Sequence, residues 1–292
     1  MLSNRSLAGI AAVGVAALAA CKSDRQPPST ETGQPASAEA PAPASGPVTV
    51  TATDYSFDGP AKLTAGTNTL HLVNHGKELH QLQLIKLEQG KTADDLVKAV
   101  KSPGPIPSWV TFVGGPNGIA PGAETSATEV LAPGNYAYVC LIPSPDGIIH
   151  AAKGMVRPFE VAGESSASAA QLPPADVTIK LVDYDFRSSK PLTAGRQTIL
   201  VQNEGPQPHE IVLVRLAPGK KIEDFAHWAE TGLKGPPPAE PLGGVAVLNK
   251  GEEGTFSVEL TPGDYGLICF VPDAKNGKPH LAHGMMKNLK VS

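Results

Sequence analysis

Cys140, His150 and Met155 follow one another in the first half of the chain, and Cys269, His280 and Met285 follow in the same order near its end. Each cysteine closes an apolar run, and each His–Met pair follows on one loop. His80 and His209, each placed just before an apolar strand-like run, supply a second imidazole to each set. Two imidazoles and a thiolate with a weak axial thioether form a soft donor set that suits copper and one-electron exchange. The chemistry is a compromise. Cu(I) prefers sulfur and low coordination, Cu(II) prefers nitrogen and a flatter geometry, and a stiff scaffold holding a site between the two reorganises little when one electron comes or goes.

The two sets belong to an internal duplication. Adding 129 to a residue number in the first copy gives its counterpart in the second: Val48 and Val177, Asp54-Tyr55 and Asp183-Tyr184, Asn74 and Asn203, Gly76 and Gly205, His80 and His209, Gly114-Gly115 and Gly243-Gly244, Pro133-Gly134 and Pro262-Gly263, Cys140 and Cys269. One residue is added in the second loop, so His150 and Met155 match His280 and Met285 at an offset of 130. Two copies of this length form a tandem domain pair, since solenoid repeats are shorter and more numerous. Retention of all four donor types in register in both copies argues against a coincidence of isolated His, Cys and Met residues.

The elements that must hold these residues read as short strands. Val48–Thr51 and Val177–Ile179 alternate, Leu70–Val73 and Thr198–Val201 follow a Thr-Ala-Gly turn, and Gln81–Ile85 and Glu210–Val214 follow the first histidine. Thr255–Leu260 and Tyr265–Cys269 flank a Thr-Pro-Gly-Asp turn, a hairpin signal. One helix is predicted per copy, over Ala93–Lys101 and Ile222–Thr231. The expected architecture is all-β: two tandem Greek-key β-sandwiches, each with one short helical insertion. Tyr55, Phe57, Tyr184 and Phe186 read as sandwich core.

The segments resemble the cupredoxins, most closely plastocyanin. The resemblance rests on Asn203, Gly205 and Pro208-His209 before an apolar strand, on Pro262-Gly263-Asp264-Tyr265 leading to Cys269, and on His280 and His150 with Gly-Met following at the fifth position. It covers both folded segments. It implies a type 1 (blue) copper site at one end of each sandwich: His80, Cys140, His150 and Met155 in the first copy, His209, Cys269, His280 and Met285 in the second. Two copper ions are expected, one per domain. Nine residues separate Cys140 from His150 and ten separate Cys269 from His280, more than in most of that family. The family often has Asn after the first histidine, where it braces the Cys loop; here Gln81 and Glu210 stand there. His283 pairs with Lys153 and reads as a surface residue.

Met1–Ala20 has a positive start at Arg5 and an Ala/Gly-rich apolar run too short for a transmembrane helix. It ends in Leu18-Ala19-Ala20-Cys21, which resembles the lipobox of bacterial lipoproteins and implies cleavage before Cys21 and acylation of its thiol. Lys22 to Gly46 is Pro-, Ala-, Ser- and Thr-rich and reads as a flexible tether. The domain plan is therefore a lipoprotein signal peptide over 1–20, a tether over 21–46, cupredoxin-like domains over 47–162 and 176–292, and a linker over 163–175. The expected location is the cell envelope, lipid-anchored on the periplasmic side or at the outer membrane.

Thirty Gly and 29 Pro in 292 residues favour turns over long helices. A net charge of −4 without a basic block speaks against nucleic-acid binding. A Cys140–Cys269 disulfide is disfavoured, since both lie at equivalent buried-strand positions of separate domains. The leading functional expectation is a membrane-anchored carrier of single electrons between redox proteins of the envelope, with the His150 or His280 imidazole as electron port. Copper storage or delivery, and a metal-free structural sandwich, are the alternatives. With eight histidines in all and no His-x-His or His-Cys-His string, the chain is expected not to be an enzyme.

Overall fold

The computed structural model describes residues 46–102, 104, 106–164 and 170–292. The expected signal peptide, Cys21 and nearly all of the tether lie outside the described residues. No helix among them is long and apolar enough to cross a membrane.

The first copy contains β1 (Val48–Thr53), β2 (Ser56–Asp58), β3 (Lys62–Thr64), β4 (Gly66–Asn74), β5 (Gln83–Leu87), α1 (Ala93–Lys101), β6 (Val110–Phe112), β7 (Glu124–Leu131), β8 (Gly134–Val139) and β9 (Val156–Ala162). The second contains β10 (Val177–Val182), β11 (Asp185–Ser188), β12 (Gly195–Asn203), β13 (His209–Leu216), α2 (Ile222–Glu230), β14 (Ala239–Leu248), β15 (Glu253–Leu260), β16 (Gly263–Ile268) and β17 (Met286–Val291). Each copy is a sandwich of two sheets. In the first, β2-β1-β4-β7 faces β3-β9-β8-β5-β6; in the second, β11-β10-β12-β15 faces β14-β13-β16-β17. The fold is all-β, two tandem two-sheet sandwiches each with one α-helix. Burial alternates along β4 and β12, whose outer faces meet solvent, whereas β13 is buried along nearly its whole length between its neighbours and the core.

The two helices start where local chemistry allows. Thr92 and Asp95 form a reciprocal capping box at the head of α1. The Lys221 N–H donates to Asp224 Oδ2 at 2.8 Å at the head of α2. Leu96 of α1 and Ile222, Phe225 and Ala226 of α2 are the buried positions.

The copies are joined by two antiparallel seams. In one, β7 pairs with β15 and makes a continuous eight-stranded sheet, with Ala127 opposite Phe256. In the other, residues 112–119 run against 242–249, with Pro116 opposite Val245. In each seam one residue faces its own repeat counterpart. An antiparallel contact of a patch with its own copy is the isologous arrangement of a twofold dimer, here fused into one chain. Gly115 and Gly244 make the second seam possible. Both have positive φ, 110° and 128°, and a Cβ there would collide with the carbonyl oxygens of Leu82 and Ile211. One core cluster crosses the seam, joining Ile85 and Phe112 to Ile211 and Phe256.

Phe57 and Phe186 are core residues as expected. Tyr55 and Tyr184 are only half-buried and lie over the histidines instead.

Candidate metal centres

In each copy three donors from distant parts of the chain converge: His80, Cys140 and His150 in the first, and His209, Cys269 and His280 in the second. All six residues are fully buried, and within each group the donor atoms lie within 4.8 Å of one another. His80 Nδ1 is 3.1 Å from His150 Nδ1, and Cys140 Sγ lies 3.3 Å from His150 Nδ1 and 3.9 Å from His80 Nδ1. Cys269 Sγ lies 3.5 Å from His280 Nδ1.

The approach of His80 and His209 is set by an Asn-x-Gly turn. Asn74 Oδ1 accepts from the Gly76 N–H at 2.8 Å, and Asn203 Oδ1 from Gly205 at 2.9 Å. A Cβ at either glycine would press on the imidazole of the ligand histidine. The same asparagines donate from Nδ2 to Glu78 O and Ile119 O, and to Gln207 O and Leu248 O.

The other end of each site is a short 3₁₀ turn, His150–Lys153 and His280–His283, closed by Gly154 and Gly284 in the left-handed conformation. This is why Gly stands before each Met. Met155 and Met285 are fully buried, and their carbonyls accept from the N–H groups of Cys140 and Cys269 at 3.2 and 3.1 Å. Thioether, thiol and imidazole thus belong to one hydrogen-bonded loop. The longer Cys-to-His segments fold back as small loops closed by bridges between Pro143 and Ile149 and between Pro272 and Pro279. They return the histidine to the sandwich end.

Residues that sequence reasoning did not assign fix the histidine tautomers. Asp54 Oδ1 lies 3.0 Å from His80 Nε2, and Asp183 Oδ1 lies 2.7 Å from His209 Nε2. A carboxylate can only accept, so Nε2 carries the proton and Nδ1 presents its lone pair to the centre. Glu78 Oε2 does the same to His150 Nε2 at 2.8 Å. The signal was present in sequence: Asp54-Tyr55 and Asp183-Tyr184 recur in register. His80 and His150 therefore point two lone pairs at each other across 3.1 Å, a repulsive arrangement that a cation relieves. In the second copy His209 Nδ1 is buried without a hydrogen-bond partner. Both features fit a metal, and the sulfur-plus-nitrogen donor set suits copper.

Burial governs the protonation of the donors without metal. It pushes the Cys140 thiol up to about 12 and raises Cys269 as well. It lowers all four histidines, with Asp54, Glu78 and Asp183 partly opposing it at His80, His150 and His209. His280 falls to about 4, through burial and the nearby His209. Neutral imidazoles are what a metal needs. Cys140 and Cys269 are free thiols.

His150 and His280, the expected electron ports, are both fully buried beneath aromatic neighbours. Tyr55 meets the His150 ring edge-on at 5.2 Å between centroids, and Tyr184 meets His280 in the same way. His283 stacks on Tyr184 at 4.8 Å. Gln81 and Glu210, the residues after the first histidines, are both buried. Glu210 braces the Cys269 loop by accepting from the Phe270 N–H at 3.0 Å and takes a further bond from Asn117 Nδ2 of the first copy at 3.0 Å.

No protein-family model matches the chain, and no curated protein sequence matches it. Among solved structures it is similar to auracyanin A, a "blue" copper protein from Chloroflexus aurantiacus, at 22% identity over 40% of this chain and 100% of that one, with a TM-score of 0.29. It is similar to a multicopper oxidase at 15% identity over 84% of this chain and 88% of the other, TM-score 0.23. It is also similar to the copper nitrite reductase of Nitrosomonas europaea at 16% identity over 84% and 93%, TM-score 0.24. Copper enzymes thus stand among the similar folds, and the expectation that the chain is not an enzyme is withdrawn. It rested on the number of histidines and the lack of His-x-His and His-Cys-His strings, which say nothing of what a redox site passes its electrons to.

Proposed function

We propose that each copy would hold one copper ion through His80, Cys140 and His150, or His209, Cys269 and His280, with Met155 and Met285 as further, weaker donors, and that the two sites pass single electrons. The observation that carries this reading is the convergence, twice in one chain, of two imidazole nitrogens and a thiol sulfur in fully buried pockets. Copper supplies the one-electron change between its two oxidation states. The protein supplies the rest. Asp54, Glu78 and Asp183 orient the imidazoles, the Asn-x-Gly turns and 3₁₀ turns hold the donors in place without metal, and Tyr55 and Tyr184 keep water from the histidines. Electrons reach His280 through the Tyr184–His283 stack and His150 through Tyr55. Acylation of Cys21 ties the chain to a bilayer of the cell envelope, the 21–46 segment acts as its tether, and redox proteins of the envelope are its partners.

The test is titration of the full chain with Cu(II), followed by visible absorption and electron paramagnetic resonance. An intense thiolate-to-copper charge-transfer band saturating at two equivalents, bleached by a one-electron reductant and restored by an oxidant, is the expected result. Absence of that band, with only weak binding, overturns the reading.

A further inference from the structure

Between the two copies lies a cleft of about 530 Å³, within the range of small-molecule sites. Leu141 and Ile142, which follow Cys140, line it, as do Phe270 and Val271, which follow Cys269; α1 and α2 contribute to its walls. These are counterparts under the repeat, so the cleft sits on the pseudo-twofold axis. Its lining is mostly apolar, with three buried polar side chains, Gln81, Asn117 and Glu210, of which Gln81 and Glu210 are again counterparts, each 5% exposed. The Gln81 amide has no hydrogen-bond partner among the described residues. Gln81 lines the cleft, so its amide is open to a partner that enters there. Glu210 spends one lone pair of each oxygen on Phe270 N–H and Asn117 Nδ2, and a carboxylate has capacity for more.

We propose that this cleft binds a largely apolar molecule carrying two hydroxyl groups, one donating to Glu210 and the other paired with the Gln81 amide. The apolar walls supply the affinity. The two polar groups, on opposite sides of the pseudo-twofold axis, select a two-ended ligand over a plain hydrocarbon. Binding depends on neither copper nor the ligand histidines, so it stands apart from the redox reading.

The experiment uses metal-free full-length protein and three probes: 2,6-dihydroxynaphthalene, 2,6-dimethoxynaphthalene and naphthalene, followed by probe fluorescence and calorimetry. One dihydroxynaphthalene per chain is expected. The dimethoxy compound should bind about tenfold more weakly, the worth of about one hydrogen bond, and naphthalene more weakly still. Gln81→Leu should remove the preference for the diol while leaving naphthalene binding unchanged. Ala229→Trp, on the α2 wall, should block all three probes with the circular dichroism of the fold retained. Equal binding of the three probes, binding indifferent to Ala229→Trp in a folded protein, or no binding of the diol overturns the proposal.

Discussion

In the first copy the carboxylate beside the second histidine is Glu78, with Oε2 2.8 Å from His150 Nε2 and Oε1 accepting from Tyr55 Oη at 2.8 Å. In the second copy Gln207 stands at that position and the carboxylate has moved to Asp273, where the first copy has Ser144. Asp273 Oδ2 accepts from Tyr184 at 2.6 Å and from Gln207 Nε2 at 3.0 Å, and these bonds hold its carboxyl well below the usual range. Among the described residues no carboxylate is hydrogen-bonded to His280, whose Nε2 is buried without a partner. A second exchange runs the other way. Glu210, bonded to the N–H next to Cys269, replaces Gln81 of the first copy. The first site therefore has a carboxyl group behind an imidazole, and the second has one beside the cysteine sulfur, where burial raises its pKa. Duplication preserved the donors and let the groups behind them diverge, which is how two like sites acquire different redox behaviour.

The largest test of this pairing is removal of a thiolate. Cys140→Ser should abolish the charge-transfer band of the first site only and Cys269→Ser that of the second only, each leaving half of the copper-dependent absorption. Loss of both bands from one substitution would show that the copies do not load independently.

The seam that joins the copies is itself unequal. Glu129 occupies a position whose counterpart is Val258. It is buried across from Gly254, accepts from the Gly115 N–H at 2.7 Å through Oε1, and has no partner for Oε2. Burial raises its pKa to about 8. The folded state then holds a proton that the unfolded state releases above its ordinary value of about 4.5. Stability should fall as pH rises from about 4.5 to about 8, by up to about 1.4 kcal/mol per pH unit, and level off above. Denaturant unfolding of Glu129→Gln across that range should show a flatter profile; an unchanged slope would remove Glu129 from the account.

The all-β class, both helices and the donor positions were legible because each leaves a local mark. Strand alternation, the Leu96 and Phe225 periodicity, and the twice-repeated Cys, His and Met do not depend on tertiary context. Tyr55 and Tyr184 were misread as core because an aromatic residue beside a strand says nothing of which end of the sandwich it covers. Asn117, whose counterpart is Ala246, leaves no repeat signal, and its bond to Glu210 exists only because the copies pack together. The seams were equally hidden. Gly114-Gly115 and Gly243-Gly244 recurred in register, but only the fold shows that they let one copy's backbone approach its own Leu82 or Ile211 while pairing with the other.

Without metal, the two sites should also respond differently to acid. His280 sits at about 4 when folded and near its ordinary value, about 6.5, when unfolded. Its contribution is present above about pH 6.5 and is lost as pH falls toward 4, at up to about 1.4 kcal/mol per pH unit. His150 is shifted in the same direction, but Glu78 opposes the shift. Hydrogen exchange on metal-free protein between pH 6.5 and 4 should therefore show the loop around His280 losing protection before the loop around His150. The reverse order would mean that Glu78 does not support His150 in the absence of metal.

The smallest expected effect separates the two outer arrangements most directly. A carboxylate accepting from a ligand imidazole makes that imidazole a stronger donor and favours the more highly charged Cu(II). Glu78→Gln keeps the side-chain length and removes the charge. Measured on a Cys269→Ser background, so that only the first site reports, it should raise the reduction potential by about 60 mV, equivalent to a tenfold change in preference for a one-electron couple. The double change Gln207→Glu with Asp273→Ser carries the first copy's arrangement into the second. On a Cys140→Ser background it should lower the potential of the second site by a similar amount. If both variants shift the potential in the same direction, the placement of the carboxylate is not what distinguishes the sites. Glu210 beside Cys269 would then be the residue to change next, since it acts on the sulfur through the Phe270 N–H and not through a histidine.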